Sequence, residues 1–222
     1  MNTHICPSIL NANFDDLENE ILKIADVSDY LHLDIMDNKF VPNFTFDFAR
    51  AEKIIANSPI PVDSHLMVLE PEIWAPRYAA AGSASVTFHF EATKHINQTI
   101  EAIRSNGSKV GLAIKPNTSL EEVIDYLPAI DMLLIMTVEP GFGGQSFMKD
   151  QMPKVHRSRQ AIAKLAPKEI LLQVDGGISD QTIQTAARAG ADCFVAGSAV
   201  YKSTDPKQMV INLRNLAQDI VN

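Results

Sequence analysis

Short apolar segments rich in β-branched residues recur along the whole chain, separated by longer stretches of mixed character. Eight segments share this pattern: "HICPSIL", "YLHLDIM", "PVDSHLMV", "SVTFHF", "KVGLAIK", "MLLIMTV", "ILLQVDG" and "CFVAGSAV". Runs that are apolar at nearly every position are typical of parallel strands covered on both faces. The pattern therefore predicts eight buried strands.

The stretches between these segments have helical periodicity, with apolar residues three or four positions apart. Examples are Leu17, Ile21 and Ile24; Ile96, Ile100 and Ile103; and Val210, Leu213 and Leu216. Eight strands alternating with eight helices, without a linker, predict an α/β protein: a (β/α)8 TIM barrel that forms a single domain over residues 1–222. A doubly wound open sheet uses the same alternation, but the count of eight favours the barrel.

Composition narrows the possible partners. The chain has 222 residues, of which 46% are hydrophobic, and a net charge of −8. This charge argues against nucleic acid or an anionic membrane as the main partner. No apolar run approaches the roughly 20 residues of a membrane-spanning helix, and the first residues lack a signal-peptide pattern, so we expect a cytoplasmic protein. Cys6 and Cys193 lie in apolar segments and are expected to be reduced thiols.

Four polar residues interrupt three of the predicted strands. The second strand places His32 and Asp34 on one face, the third carries His65, and the seventh ends at Asp175. In a barrel the functional residues lie at the carboxyl ends of the strands, where these four could converge. Two imidazoles and two carboxylates suit one divalent metal ion, with Zn²⁺ preferred and Mn²⁺, Fe²⁺ or Co²⁺ as alternatives. A single inward histidine would more often be a hydrogen-bonded core residue.

Further polar residues near these strand ends allow more than one interpretation. Asp63 shares the face of the third strand that carries the histidine. Asp37 lies on the other face of its segment, where a turn formed with Asn38 is the better hypothesis. His89 and Glu91 share a face at the end of the fourth strand. They are expected either to support the metal ligands or contact a substrate, or to make structural hydrogen bonds, and both hypotheses stay open.

Glycine-rich loops follow the last three strands. "EPGFGGQSF" follows the sixth strand, "VDGGI" ends the seventh and "VAGSAVY" ends the eighth. Glycine lets backbone amides approach an anion, and Gly176, Gly177, Gly197 and Ser198 are expected to add amides at helix N-termini, which favour negative charge. Three such loops in succession predict a phosphorylated small molecule as the ligand. The substrate-binding residues predicted in these loops are Gly141, Phe142, Gly143, Gly144, Gly176, Gly177, Gly197 and Ser198.

Taken together, six motifs give the chain a specific family likeness. "CPSILNANF", "HLDIMDNKFVPNFTF", "VDSHLMV", "MTVEPGFGGQSF", "VDGGI" and "VAGSAVY" resemble the ribulose-phosphate 3-epimerase family, in order and over essentially the whole chain. The resemblance implies a cytoplasmic homo-oligomer, from dimer to hexamer, that interconverts D-ribulose 5-phosphate and D-xylulose 5-phosphate in carbohydrate metabolism, including the pentose phosphate pathway. It implies one catalytic metal bound by His32, Asp34, His65 and Asp175. The substrate contacts that it adds are Ser8, Met36, His65, Met67, Met136 and Asp175.

The implied reaction inverts a carbon beside a carbonyl, so a proton has to leave one face and return on the other. The intermediate is a 2,3-enediolate, whose negative charge requires stabilisation. Two acid/base groups are needed, one on each face. Asp34 and Asp175, from the second and seventh strands, are the predicted pair for this 1,1-proton transfer, with their roles exchanged in the reverse direction.

Three other functions share part of this pattern. A 3-epimerase of a related ketose phosphate, such as D-allulose 6-phosphate, would use the same metal and the same chemistry. An aldolase- or decarboxylase-type barrel usually needs a lysine at a strand end, and Lys115 occupies such a position. A non-catalytic phosphosugar-binding barrel would retain the fold alone. The presence of all four candidate ligands favours an enzyme over the binding protein.

Overall fold

The computed structural model describes residues 2–221, and eight parallel strands form its inner layer. The ends of the predicted domain, Met1 and Asn222, lie outside the described residues. The strands are β1 (His4–Pro7), β2 (Leu31–Met36), β3 (Val62–Met67), β4 (Ser85–His89), β5 (Lys109–Ile114), β6 (Met132–Met136), β7 (Leu171–Asp175) and β8 (Cys193–Ala196). Each of them lies within one of the eight apolar segments, so the predicted strands are confirmed.

The strands form a nearly closed barrel. Hydrogen-bonded ladders join β1 to β8 and then run in descending order from β8 to β2. The two ends of this sheet, β1 and β2, meet at a single bridge between Ser8 and His32. Because the first and last strands in the sheet order are neighbours, the arrangement is the predicted single-domain (β/α)8 barrel and not an open sheet.

Helices surround the barrel and bury the outward side of each strand. The α-helices are α1 (Leu17–Leu22), α2 (Phe48–Asn57), α3 (Pro71–Ala80), α4 (Ile96–Ser105), α5 (Met152–Leu165), α6 (Ile183–Arg188), α7 (Ser198–Tyr201) and α8 (Pro206–Val221). Side chains alternate between the two sides of a strand. Leu31, Leu33 and Ile35 of β2 therefore join the main apolar core. His32 and Asp34 face the barrel interior, which brings polar groups to its centre.

The segment between β5 and β6 departs from the regular alternation. In place of the expected α-helix it forms two 3₁₀ turns, Leu120–Glu122 and Ile124–Ala129. Pro128 lies in the second turn and has no backbone N–H to donate, which disfavours a longer α-helix. Two α-helices, α7 and α8, follow β8 instead of one.

The two cysteines face each other in the barrel interior, in β1 and β8. Cys6 and Cys193 are free and buried, with their Sγ atoms 3.4 Å apart. They belong to a small apolar cluster with Met132 and Val195. The prediction of buried, reduced thiols is confirmed. Along residues 2–221, no helix has both the length and the apolar character needed to cross a membrane.

Candidate metal centre and active site

Four polar side chains converge at the carboxyl end of the barrel. The β2–β3 register places Asp34 beside His65, and β7 ends at Asp175. His65 Nδ1 lies 3.0 Å from Asp34 Oδ1 and 3.6 Å from Asp175 Oδ2. His32 Nε2 lies 3.4 Å from Asp34 Oδ1. One ligand atom from each of the four residues lies within 4.8 Å of the other three. The structure thus brings together the four residues that the strand positions singled out.

The spacing of these atoms fits a small divalent cation. Zinc binds imidazole nitrogen and carboxylate oxygen at about 2.0–2.2 Å, so the ligand atoms of a tetrahedral site lie about 3.3 Å apart. His32 Nε2 and His65 Nδ1 lie 3.4 Å apart, and these two nitrogens lie between 3.0 and 3.9 Å from the carboxylate oxygens of Asp34 and Asp175. The donor atoms are therefore already near the distances that such an ion requires, and the cluster could hold a divalent metal.

A buried carboxylate orients the first imidazole. Asp63 Oδ2 lies 2.9 Å from His32 Nδ1, and it also accepts a hydrogen bond of 2.9 Å from Gln173 Nε2. Ser85 Oγ donates to the other oxygen of Asp63. Burial alone would raise the pKa of Asp63, but these donors outweigh it and lower that pKa. An ionised Asp63 accepts a hydrogen bond from His32 Nδ1–H, and this leaves Nε2 as the nitrogen that could bind a cation.

The second imidazole contacts another histidine. His65 Nε2 lies 2.9 Å from His89 Nε2, and His89 Nδ1 lies 3.3 Å from Glu91 Oε2. Burial lowers the pKa of His89 to about 4. Burial opposes ionisation of Glu91, but its hydrogen bonds from His89, Thr118 and the Lys115 amide lower its pKa to about 2. This geometry agrees with support of a candidate metal ligand, and the hydrogen bonds of Glu91 with Thr118 and the Lys115 amide also agree with the structural hypothesis.

The two aspartates of the cluster differ in charge preference. At Asp34 burial disfavours ionisation, but His32 and His65 outweigh it and lower the pKa of Asp34. At Asp175 burial acts together with the charge of Asp34 and raises the pKa to about 6. Burial would lower the pKa of His32, yet Asp34 and Asp63 raise it well above its usual value. Carboxylates on both sides of His32 thus favour positive charge between them, which is the charge that a divalent cation would supply.

A small pocket that opens to solvent lies at this end of the barrel. Asp34 and Asp175 border it, together with most of the predicted substrate contacts. The predicted residues that line it are Ser8, Met36, Met67, Met136, Gly141, Phe142, Gly143, Gly144, Gly176, Gly177, Gly197 and Ser198. His65 is fully buried and is not among these residues. Leu10, Asn11 and Gln145 also line the pocket, although the sequence did not single them out.

Glycines lie where the loops of the pocket approach one another. A Cβ atom at Gly143 or Gly197 would lie 2.8 Å or 2.6 Å from Asn11 Oδ1. At Gly177, with φ +67°, a Cβ atom would lie 2.4 Å from the backbone nitrogen of Phe147. The expectation that Gly176 and Gly177 lie at a helix N-terminus is wrong, because α6 begins only at Ile183. Their amides lie in a tight loop instead.

Comparison with known proteins agrees with this site. The model of the ribulose-phosphate 3-epimerase family matches residues 4–201. The chain belongs to the ribulose-phosphate 3-epimerase family. A ribulose-phosphate 3-epimerase of Mycobacterium tuberculosis is 47% identical over 213 residues, which cover 96% of this chain and 92% of that protein. The Bacillus subtilis ribulose-phosphate 3-epimerase is 37% identical, covering 95% and 97%. Family membership makes the chain an enzyme, an isomerase acting on a carbohydrate.

Solved structures of lower identity support the fold alone. The 3-hexulose-6-phosphate synthase of Salmonella typhimurium is 18% identical, with a TM-score of 0.73 and coverage of 98% of this chain and 99% of that chain. KGPDC of Streptococcus mutans is 11% identical, with a TM-score of 0.72 and full coverage of both chains. At such identities the shared barrel does not carry the chemistry from one protein to another.

Residues implied by the epimerase family occupy consistent positions around the pocket. Ser8 Oγ donates a hydrogen bond of 2.6 Å to Asp34 Oδ2. In the strand registers Met36 pairs with Met67, and Met136 pairs with Asp175. The three methionines are buried and line the pocket. They provide apolar, polarizable walls beside the polar cluster.

Two other candidates make contacts outside the pocket. Asp37 Oδ1 accepts hydrogen bonds of 2.8 Å from the amides of Lys39 and Phe40, which confirms its turn-forming role. Lys115 Nζ lies 3.9 Å from the centroid of the Phe40 ring. Lys115 is not among the described residues that line the pocket. The strand-end lysine that an aldolase-type barrel would use is therefore directed to a ring contact.

Proposed function

We propose that this enzyme interconverts D-ribulose 5-phosphate and D-xylulose 5-phosphate by moving a proton at C3. The observation that carries the proposal is the pair Asp34 and Asp175. These carboxylates come from β2 and β7, border one pocket, and share one candidate cation site. The relatives are ribulose-phosphate 3-epimerases, which supports this substrate pair over a longer ketose phosphate such as D-allulose 6-phosphate.

The two aspartates act as the acid/base pair. Asp34 removes the C3 proton from one face of the substrate, and Asp175 delivers a proton to the opposite face through a 2,3-enediolate; in the reverse direction the roles exchange. Ser8 holds Asp34 through its Oδ2 atom. Met36, Met67 and Met136 line the pocket without exchangeable protons, so they limit quenching of the intermediate by stray protons.

The proposed cofactor is one Zn²⁺, for which two imidazoles and two carboxylates are a suitable donor set. When bound, the cation acts as a Lewis acid that stabilises negative charge on the substrate oxygens. His32, Asp34, His65 and Asp175 would hold it. Asp63 orients His32 for this role through the hydrogen bond to Nδ1.

The glycine loops hold the phosphate of the substrate. Glycines of the loop after β6 and of the turn after β7 line the same pocket, where their backbone amides are the proposed anion donors. Among the described residues that line the pocket, none is arginine or lysine. Amide groups are therefore the proposed donors to the phosphate.

Gly177→Ala is expected to raise KM for D-ribulose 5-phosphate by about tenfold or more, because its Cβ atom would lie 2.4 Å from the Phe147 nitrogen and force the two loops apart. Gly107→Ala is the matched control, since Gly107 also has positive φ but a Cβ atom there would meet nothing within 4 Å. Steady-state kinetics and thermal unfolding of both variants separate the effect of the clash with Phe147 from the effect of placing alanine at a positive φ. Equal KM values for both variants would contradict this proposal.

Turnover in D₂O tests the reaction itself. Metal-stripped protein is expected to be inactive with D-ribulose 5-phosphate, and Zn²⁺, Mn²⁺ or Fe²⁺ to restore activity. The product is expected to be D-xylulose 5-phosphate with deuterium at C3, detected by NMR. Turnover without deuterium at C3 would argue against proton exchange through the two aspartates. Folded protein that is inactive with every metal, but active on a longer ketose phosphate, would reassign the substrate.

We also propose that the enzyme is a homo-oligomer. Phe44, Leu69 and Ile73 are large apolar side chains with exposed fractions of 58%, 40% and 55%. Asp37 connects the first two, since it forms a bridge with Phe44 and accepts a hydrogen bond from the Leu69 amide. Phe44 and Leu69 are therefore neighbours, and neighbouring exposed apolar side chains are typical of a subunit contact. A monomer in analytical ultracentrifugation would exclude this part of the proposal.

A further inference from the structure

The two candidate imidazole ligands present different nitrogen atoms to the cation site. His32 uses Nε2, and His65 uses Nδ1, which lies 3.4 Å from His32 Nε2. An imidazole can bind a metal only through a nitrogen that carries no proton. His32 must therefore keep its proton on Nδ1, and His65 must keep its proton on Nε2.

The surroundings of His65 contain two competing influences. Asp34 Oδ1 lies 3.0 Å from His65 Nδ1 and would favour a proton on that nitrogen. On the outer side, His65 Nε2 faces not a carboxylate but His89 Nε2, at 2.9 Å. A neutral imidazole nitrogen can either donate or accept, so this contact alone does not decide which nitrogen of His65 carries the proton.

Glu91 removes this ambiguity. Its Oε2 atom lies 3.3 Å from His89 Nδ1, and its Oε1 atom accepts hydrogen bonds from Lys115 N and Thr118 Oγ1. An ionised carboxylate can only accept, so His89 carries its proton on Nδ1. His89 is fully buried, which disfavours a second proton on the ring. Its Nε2 atom then accepts, and the proton of His65 lies on Nε2.

We propose that Glu91 and His89 are positioning residues that set the tautomer of His65, keeping Nδ1 free for a divalent cation. The inference rests on the proposed cation site and adds two residues beyond its four ligands. Glu91, acting through His89, fixes which nitrogen of His65 carries the proton. Asp63 fixes the proton of His32 directly, through its hydrogen bond with Nδ1. The Phe40 ring lies 4.9 Å from the His89 ring.

Glu91→Gln tests the proposal by reversing the hydrogen bonds at nearly constant size. The amide oxygen would still accept from Lys115 N and Thr118 Oγ1, so its NH₂ group would donate to His89 Nδ1. His89 would then donate from Nε2, and His65 would carry its proton on Nδ1, where the cation should bind. We expect the Kd for Zn²⁺, measured by competition with a chromogenic chelator, to rise by about 10- to 100-fold.

Glu122→Gln is the matched control. Glu122 is exposed, lies in the turn after β5, and is bonded to the Ser119 amide instead of to a histidine. Its Kd for Zn²⁺ is expected to stay within about twofold of the wild-type value. A purely structural role of Glu91 would lower the melting temperature of metal-free Glu91→Gln but leave its Kd unchanged, and that result would overturn the proposal.

A second measurement needs no variant. In zinc-loaded wild-type protein, long-range ¹H–¹⁵N NMR spectra of the imidazoles are expected to show protons on His89 Nδ1 and His65 Nε2. A proton on His89 Nε2 would overturn the positioning role even if Glu91→Gln fails to fold. Wild-type protein that binds no Zn²⁺ would instead overturn the proposed cation site, so the two failures are distinguishable.

Discussion

Asp175→Asn is expected to lower turnover by about a thousandfold or more in both directions, because general acid–base groups contribute roughly 10² to 10⁴ to the rate and this carboxylate is also a proposed ligand. Asparagine has nearly the same size, but it can neither deliver nor accept the transferred proton. The variant should fold, since the Asp175 side chain is 17% exposed and the strand pairing of β7 uses its backbone. Coupled assays in each direction measure the loss.

Partial reactions separate proton transfer from metal loss in this variant. With Asp34 intact and the site saturated with Zn²⁺, Asp175→Asn is expected to exchange the C3 hydrogen of one epimer with D₂O but not that of the other. Asp180→Asn, after the same strand and exposed, is the control and should retain wild-type turnover. Near-normal turnover of Asp175→Asn in both directions would refute the two-carboxylate scheme.

The fold could be predicted because its signal is local. A strand covered on both faces must be apolar almost throughout, so each observed strand coincides with one apolar segment. The segment between β5 and β6 was harder to predict for the same local reason. Leu120, Val123 and Leu127 are buried there at spacings that suit an α-helix as well as a 3₁₀ turn. Apolar spacing alone does not distinguish the two.

The candidate cation site could be predicted as far as strand periodicity reaches. His32 and Asp34 share a face because they are two positions apart, and barrels gather their strand ends at one rim. The support of these residues depends instead on register between distant strands. Gln173, for example, donates to Asp63 across 110 positions of sequence. No spacing within one segment encodes that contact, and the same is true of Asn11 between Gly143 and Gly197.

The contact between His89 and His65 also could not be predicted from spacing within one segment. The sequence placed His89 and Glu91 on one face of a strand end, which left both a supporting and a structural role open. The 2.9 Å contact between His89 and His65 depends on β3 and β4 pairing in register. A chemical role therefore became visible only when the third and fourth strands were placed side by side.

Zinc is expected to stabilise the folded enzyme by about 4 kcal/mol when free Zn²⁺ is about 1,000 times its Kd. For a domain of this size the melting temperature should then rise by roughly 8–16 °C relative to chelator-treated protein. The physical reason is that the metal-free site holds the Asp34 and Asp175 carboxylates close together in a buried cluster. A divalent cation neutralises that repulsion only in the folded chain, where the four ligand atoms are assembled.

Differential scanning calorimetry with and without Zn²⁺ measures this shift, and paired histidine variants locate its origin. His32→Asn removes one proposed ligand and is expected to abolish most of the shift. His156→Asn changes a histidine on the exposed side of α5, and it should leave the shift intact. If His32→Asn kept the full shift while His156→Asn lost it, the stabilising zinc would be bound at the surface. The Lewis acid proposed for the epimerisation would then lack its site, because no cation would be bound between Asp34 and Asp175.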